Sequence, residues 1–263
     1  MKNWNTIQVP GEWVMQGFEV KKGEAAGYVR NFALPASWKG QRIKLRCNAV
    51  YSDCKVFVNG KEACFWPCGY NSFYCDVTSL VNEDGKNNTL AVRLENRPQS
   101  SRWYPGAGLY RNVHVVTTEK IHVPVWGTQI TTPYVKDEYA SVCLRTTILN
   151  AGKTELTVVT DIMDADGQVV STKTNKGVIN HGQPFTQNFI VERPKLWSPE
   201  TPVLYKAVSK IYSGDTLLDT YSTRFGIRTI EYIADKGFYL NGKRRKFQGV
   251  CNHHDLSTFG SSN

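Results

Sequence analysis

Three adjacent polar side chains near the end of the sequence, His253, His254 and Asp255, are of types that commonly do chemistry. They follow a predicted strand over residues 246–250, and barrel enzymes place their catalytic groups just after the carboxyl ends of buried strands. Neighbouring residues of an extended chain point to opposite faces, so the three side chains do not easily converge on one metal ion. We therefore expect a polar site here, with no metal or other cofactor.

The elements that position these residues form a predicted hairpin. Strands over 229–233 and 237–240 are followed by Asn241-Gly242 and then by the strand over 246–250. Asn-Gly between two apolar segments predicts a tight turn, because both central positions need a positive φ.

Composition indicates an ordered chain that has no membrane span and does not bind nucleic acid. Its 263 residues are 41% hydrophobic, and no apolar run approaches the ~20 residues of a membrane span. The net charge of +9 is spread along the sequence, whereas nucleic-acid binding needs a concentrated patch. The densest basic run, 243–246, follows the Asn241-Gly242 turn and is explained by a solvated hairpin tip.

The cellular compartment stays open. Met1 leads into Trp4 without an apolar leader. The chain would be periplasmic or secreted if a signal peptide was removed, and otherwise cytoplasmic.

The cysteines predict buried thiols and neither a complete disulfide framework nor a zinc site. There are seven of them, an odd number, and the spacing of Cys64 and Cys68 differs from the C-x2-C of zinc knuckles. Cys47 alternates with Leu45 and Ile43, which is typical of a core position.

Apolar and polar residues alternate along most of the chain, as in half-buried antiparallel strands, so the predicted fold class is all-β. Residues 1–118, rich in aromatic side chains and uneven loops, favour a jelly-roll sandwich. In residues 119–225, about seven short strands separated by frequent turns favour an immunoglobulin-like β-sandwich. Residues 226–263 contain the terminal hairpin.

Four segments, in order along the chain, carry a family resemblance: 7–13 (IQVPGEW), 51–60 (YSDCKVFVNG), 102–113 (RWYPGAGLYRNV), and 196–205 together with 225–228. They resemble the N-terminal motifs of glycoside hydrolase family 2, which includes β-galactosidases, β-glucuronidases and β-mannosidases. The resemblance implies a jelly-roll sugar-binding domain over 1–118 and an immunoglobulin-like domain over 119–225. It also makes 226–263 the lead-in hairpin and first strand of a truncated (β/α)8 barrel.

The resemblance also implies where sugar contacts and catalytic groups lie. His253 matches the histidine of the family's Gly-Val-Asn-Arg-His-Glu pattern, which lines the sugar pocket. A structural histidine near the barrel rim is the alternative role for His253. Asn96, Arg102 and Trp103 lie in the loop that reaches the barrel mouth, where Asn96 and Arg102 would bind hydroxyl groups and Trp103 would stack on a pyranose ring. Bracing of the two domains is the alternative role for Trp103. The catalytic glutamate pair would lie on later barrel strands, so we expect no catalytic residue in this chain.

The leading hypothesis is the non-catalytic N-terminal part of a retaining enzyme that acts on terminal β-glycosides and is most similar to a β-galactosidase. The alternatives are a free-standing carbohydrate-binding module and a structural β-sandwich that forms a homo-oligomer. In each case except the last the expected partner is carbohydrate. We also expect Phe238, Phe247 and Val250 to be exposed, with the tail either disordered beyond about residue 250 or packed on the immunoglobulin-like domain or a neighbouring chain.

Overall fold

The computed structural model describes residues 4–21, 23–95, 107–149 and 152–250. β-Strands dominate these ranges, which confirms the predicted all-β class. No helix in this part of the chain is long and apolar enough to cross a membrane. The chain divides into two compact units, one formed by residues up to Thr118 and one running from Glu119 to Val250.

The first unit is a sandwich of two antiparallel sheets. Its strands are β1 (Ala25–Ala33), β2 (Arg42–Cys47), β3 (Cys54–Val58), β4 (Lys61–Trp66), β5 (Phe73–Asp76), β6 (Asn87–Glu95) and β7 (Val113–Thr118). One sheet has the order β1-β6-β3-β4 and the other the order β5-β2-β7. Neighbouring strands in both sheets are mostly distant in sequence, as expected for a jelly roll.

Alternation of side chains along the strands builds the core of this unit. On β2, Ile43, Leu45 and Cys47 are buried while the residues between them are more accessible. A turn at Asn59-Gly60 joins β3 to β4, and both of its residues have positive φ, 51° and 80°. The period-2 pattern and the turn residues therefore specify the same local structure.

The second unit contains the predicted seven-stranded sandwich. Its strands are β8 (Thr128–Val135), β9 (Tyr139–Thr147), β10 (Glu155–Met163), β11 (Val169–Val178), β12 (Pro184–Glu192), β13 (Tyr205–Ser213) and β14 (Thr216–Phe225). They form sheets of order β12-β9-β8 and β11-β10-β13-β14. Each sheet buries one face against the other.

A buried polar network ties these two sheets together. The Thr160 hydroxyl on β10 donates to Oε1 of Gln187 on β12 at 2.7 Å, and it lies 2.8 Å from the Ser209 hydroxyl on β13. The Gln187 amide in turn donates to Oδ1 of Asn175 at 3.0 Å. Thr160, Gln187 and Ser209 are at most 1% exposed, so these bonds satisfy groups that water does not reach.

The terminal hairpin forms a small third sheet, and its last strand differs from the prediction. β15 (Ile230–Ile233) and β16 (Gly237–Leu240) pair as expected, whereas β17 covers Lys243–Arg244 and residues 246–250 form no strand. The reason is the tightness of the Asn241-Gly242 turn, which brings Lys243 directly opposite Leu240. A predicted strand over 246–250 is thus wrong in position.

This hairpin packs on the second unit through specific polar contacts. The Asn241 side chain donates to the Trp197 carbonyl at 3.0 Å and accepts from the Thr229 amide at 3.0 Å. Arg245 makes two hydrogen bonds to the Glu200 carboxylate, at 2.6 and 2.9 Å, which hold the pKa of that carboxyl below its ordinary value. Up to residue 250, the hairpin therefore packs on the immunoglobulin-like domain, which is one of the arrangements expected for the tail.

The exposure expected for the tail is confirmed in two of three cases. Phe247 and Val250 are 77% and 88% exposed. Phe238 is only half-exposed, because its ring packs between those of Tyr232 and Phe247, at centroid distances of 5.3 and 4.7 Å.

The cysteines include one disulfide that sequence spacing did not indicate. Cys64 on β4 is bonded to Cys75 on β5, with a Cα–Cα distance of 5.9 Å. The two strands belong to different sheets, so their proximity follows only from the sandwich. Cys47 is a buried thiol, as predicted, and burial raises its pKa to about 12.

We predict that Gln187→Ala lowers the free energy of unfolding of the second unit by about 1–3 kcal/mol, because it removes the acceptor of the buried Thr160 hydroxyl and the donor to Asn175 Oδ1. Urea unfolding followed by circular dichroism measures this change. Gln168→Ala, at an exposed glutamine of the same unit, is the control and should stay within about 0.5 kcal/mol of wild type. Equal losses in both variants would show that the network carries no stability.

Candidate functional site

The four residues that the sequence suggested for sugar contact, His253, Asn96, Arg102 and Trp103, lie outside the described residues, and their roles stay predictions. The structure does describe the framework on both sides of residues 96–106. That framework is built from the first unit alone.

Two residues hold both ends of the segment 96–106. The Glu95 amide donates to the Ser52 carbonyl at 3.0 Å, and the Ser52 hydroxyl donates to the Glu95 carbonyl at 2.9 Å. On the returning side, Tyr51 and Gly108 exchange two backbone hydrogen bonds of 3.2 Å each. The spacing between the two ends of the segment is therefore set by a single dipeptide.

The N-terminal motif secures the returning side a second time. The amides of Gly11 and Trp13 donate to the carbonyls of Leu109 and Ala107 at 3.0 and 3.2 Å. A Cβ on Gly108 would lie 2.8 Å from the Tyr28 hydroxyl and 3.1 Å from the Gly11 carbonyl oxygen, and its φ is 140°. Only glycine allows this close approach between the two segments.

Aromatic side chains pack around the Tyr51-Ser52 dipeptide. The Tyr110 hydroxyl donates to the Gly69 carbonyl at 2.7 Å, and the rings of Tyr51 and Tyr70 meet edge to face at 5.3 Å. Gly69 lies so close to Tyr51 that an added Cβ would sit 2.1 Å from the ring. Tyr51 is 5% exposed, so its ring has no free space to move into.

A cavity of about 720 Å³, the intersheet cavity, opens between the edge strands β1 and β7. Apolar side chains such as Phe32, Leu45 and Val92 form its interior, and Arg30 and His114 lie at its more accessible positions. Burial raises the pKa of Tyr28, which also lines it, to about 12, and the Leu109 backbone partly offsets that effect. Such a wall suits an apolar group more than a charged one.

A second depression of about 420 Å³, the outer groove, lies on the solvent side of the four-stranded sheet beside Glu95. It is lined by Asp53, Lys55, Glu62, Phe65, Arg93 and Glu95. Arg93 and Glu95 form an ion pair. The groove thus offers charged hydrogen-bonding groups and one aromatic ring where the segment 96–106 begins.

Within the described ranges, no three His, Cys, Asp or Glu side chains are grouped so that they could hold a metal ion.

Two family models match consecutive parts of the chain. The model for "Glycosyl hydrolases family 2, sugar binding domain" matches residues 20–119, and the model for "Glycosyl hydrolases family 2" matches residues 121–228. The chain belongs to glycosyl hydrolase family 2. The family 2 resemblance expected from the four sequence motifs is therefore confirmed.

Relatives of the chain have names that indicate different specificities. The chain is 37% identical to β-galactosidase BoGH2A of Bacteroides ovatus, over 99% of this chain and 32% of the relative. It is 31% identical to a putative β-glucuronidase of Formosa agariphila, over 99% of this chain and 26% of the relative. The chain spans about a quarter to a third of the length of these curated relatives.

Solved structures of glycosidases share this fold. A family 2 member from Bacteroides cellulosilyticus superposes with a TM-score of 0.90 at 29% identity, covering 98% of this chain and 37% of that structure. A β-glucuronidase from Bacteroides uniformis gives a TM-score of 0.86 at 28% identity, covering 99% and 33%.

Tyr51 and Ser52 lie in the family motif over 51–60, which by itself indicates no role for them. No pattern in the sequence indicates the outer groove. In both cases the decisive information is which strand lies beside which, and alternation within a single strand does not contain it.

We predict that Gly69→Ala lowers the free energy of unfolding of the first unit by about 1–3 kcal/mol, because the added methyl group displaces the buried Tyr51 ring. Thermal or urea unfolding measures the loss. Gly249→Ala is the control, since Gly249 has open space around it and no positive φ. A Gly69→Ala protein as stable as the control would mean that the Tyr51 site is loosely packed.

We also predict a tyrosine-dependent loss of stability at alkaline pH. Because the fold raises the pKa of Tyr28 to about 12, its contribution is constant below the ordinary tyrosine value of about 10 and is lost as the pH rises towards 12. Urea midpoints measured from neutral to alkaline pH should fall less steeply in Tyr28→Phe than in wild type. Parallel curves for the two proteins would contradict this.

Proposed function

We propose that this chain is the non-catalytic N-terminal part of a retaining glycoside hydrolase that acts on terminal β-glycosides, and that the parent enzyme is β-galactosidase-like. The observation that carries the proposal is the order of the two family models, sugar-binding domain first and immunoglobulin-like domain second, in a chain that spans about a third of its relatives. The 37% identity to a β-galactosidase supports the choice of galactosides.

Retention at the anomeric carbon needs two carboxyl groups about 5–5.5 Å apart, one acting as acid and base and the other as nucleophile. The proposal assigns both to the barrel of the parent enzyme. The role of this chain is then to bind and orient the sugar. In that role, Asn96 and Arg102 donate hydrogen bonds to hydroxyl groups, Trp103 stacks on the ring and His253 adds a further donor.

The framework at Tyr51 and Ser52 supports this division of labour. A loop whose two ends are fixed loses less conformational entropy when it closes on a ligand. Because Ser52 binds Glu95 and Tyr51 binds Gly108, the sugar-contacting segment departs from a rigid base. Rigid support of this kind is what positioning residues require.

We predict that the purified 263-residue chain does not hydrolyse nitrophenyl β-galactoside, β-glucuronide or β-mannoside, because the proposal assigns the catalytic carboxylate pair to the barrel of the parent enzyme. Release of nitrophenol measures the activity, with full-length β-galactosidase BoGH2A as the positive control. Hydrolysis that persists after further purification of the chain would overturn the non-catalytic assignment.

The substrate assignment is tested on an enzyme that carries this chain ahead of its barrel. The expected result is a higher kcat/KM for the β-galactoside than for the β-glucuronide or β-mannoside. A preference for the glucuronide would overturn the galactoside assignment and leave the non-catalytic assignment of this chain intact.

A further inference from the structure

Four residues form a straight row across the outer face of the four-stranded sheet. The strand registers place Gly27 opposite Arg93, Arg93 opposite Lys55, and Lys55 opposite Phe65. Directly opposed residues of antiparallel strands share one face of the sheet. The row therefore crosses all four strands and spans three inter-strand distances, about 14 Å.

An exposed aromatic ring stands at each end of this row. Phe65 is 46% exposed at one end. At the other end, a Cβ on Gly27 would lie 3.7 Å from the Trp4 ring, which is itself 65% exposed. Gly27 has no side chain, so the Trp4 ring can lie against the backbone of the sheet. Both rings are therefore accessible to a ligand at the two ends of the row, and Trp4 also lines the intersheet cavity.

Between the rings, the outer groove presents a dense set of charged hydrogen-bonding groups. Lys55 and Arg93 supply cationic donors, and Asp53, Glu62 and Glu95 supply carboxylate acceptors. Three negative charges outweigh two positive ones, so the groove gains nothing from an anionic ligand. Hydroxyl groups, which both donate and accept, can satisfy the two kinds of group at once.

We propose that the outer groove, together with Trp4, binds an extended neutral oligosaccharide. The rings of Trp4 and Phe65 offer flat apolar surfaces to the C–H faces of sugar rings, and the charged groups between them bind the hydroxyl groups. The length of the row suits a chain of several linked sugars better than a single one. The inference rests on the proposed carbohydrate function, and it locates a site on the sheet face that is distinct from the residues of the segment 96–106.

Single-stranded nucleic acid is the other ligand that combines aromatic stacking with cationic side chains. Its binding depends on neutralising phosphates, and the three carboxylates of the groove oppose this. The observations therefore favour the neutral polyhydroxyl ligand, and nucleic acid becomes an outcome of the test.

The test uses the 263-residue chain and isothermal titration calorimetry. The neutral probes are β-1,4-galactotetraose, cellotetraose and laminaritetraose; a hyaluronan tetrasaccharide and an oligothymidylate are the anionic probes. We expect saturable binding of at least one neutral probe and weaker binding of both anionic probes. Binding of none of the neutral probes, or tighter binding of either anionic probe, overturns the proposal.

Variants assign the binding to the groove. Phe65→Ala and Arg93→Ala should each weaken binding of the neutral probe about tenfold, as for the loss of a main contact residue. Tyr134→Ala is the matched control: Tyr134 is 40% exposed on the second unit, close to the 46% of Phe65, and its loss should leave the affinity unchanged. Equal affinities of all three variants and wild type overturn the assignment to this groove.

A second measurement keeps the test decisive if a variant unfolds. In the wild-type chain, amide chemical shifts of Lys55, Phe65 and Arg93 should move on titration with the neutral probe, whereas those of Tyr134 should not. Shifts confined to other residues overturn the proposal. These outcomes are independent of the glycoside assay. Glycoside hydrolysis by the chain would refute the proposed function but would not change where the oligosaccharide binds.

Discussion

The first unit depends on one short backbone ladder, in which Tyr51 and Ser52 bind both ends of the segment 96–106. Closing a loop costs entropy, and fixed ends remove much of that cost. The same ladder continues through Gly11 and Trp13. Three of the motifs that carry the family resemblance thus meet at one place, and they meet through backbone hydrogen bonds. Their glycines and aromatic residues are needed because the chains approach closely there, as the distances at Gly69 and Gly108 show.

The second unit has an equivalent point of attachment at Trp197. Its amide donates to the Ile227 carbonyl at 2.8 Å, its carbonyl accepts from Asn241, and the Arg228 guanidinium lies 5.2 Å from its ring centroid. A Cβ on Gly226 would lie 2.7 Å from the Trp197 Cβ. The fourth family motif therefore holds the terminal hairpin against the sandwich through these contacts.

Sequence patterns predicted what depends on neighbouring residues and failed where distant strands decide. Leu45 and Asn241 were placed correctly, since alternation and turn chemistry are local. Residues 246–250 were not, because the tight Asn241-Gly242 turn starts the third strand at Lys243. Beyond Arg244, the Arg245 side chain binds Glu200, which is distant in the sequence. Phe65 and Arg93 are neighbours of Lys55 only through strand register, which a sequence leaves open. The four sugar-contact residues came from the family resemblance and stay predictions.

The Cys64–Cys75 disulfide could exchange with other thiols of the chain, since four other described cysteines are free. Disulfide exchange requires a thiolate with access to the bridge. Burial raises the pKa of Cys47 to about 12 and raises that of Cys54 as well, so both stay protonated and sealed in the core. Burial in the hydrophobic interior of the jelly roll therefore slows disulfide exchange by Cys47 and Cys54. The half-exposed Cys68 is the thiol of this unit that remains accessible to oxidants and exchange partners.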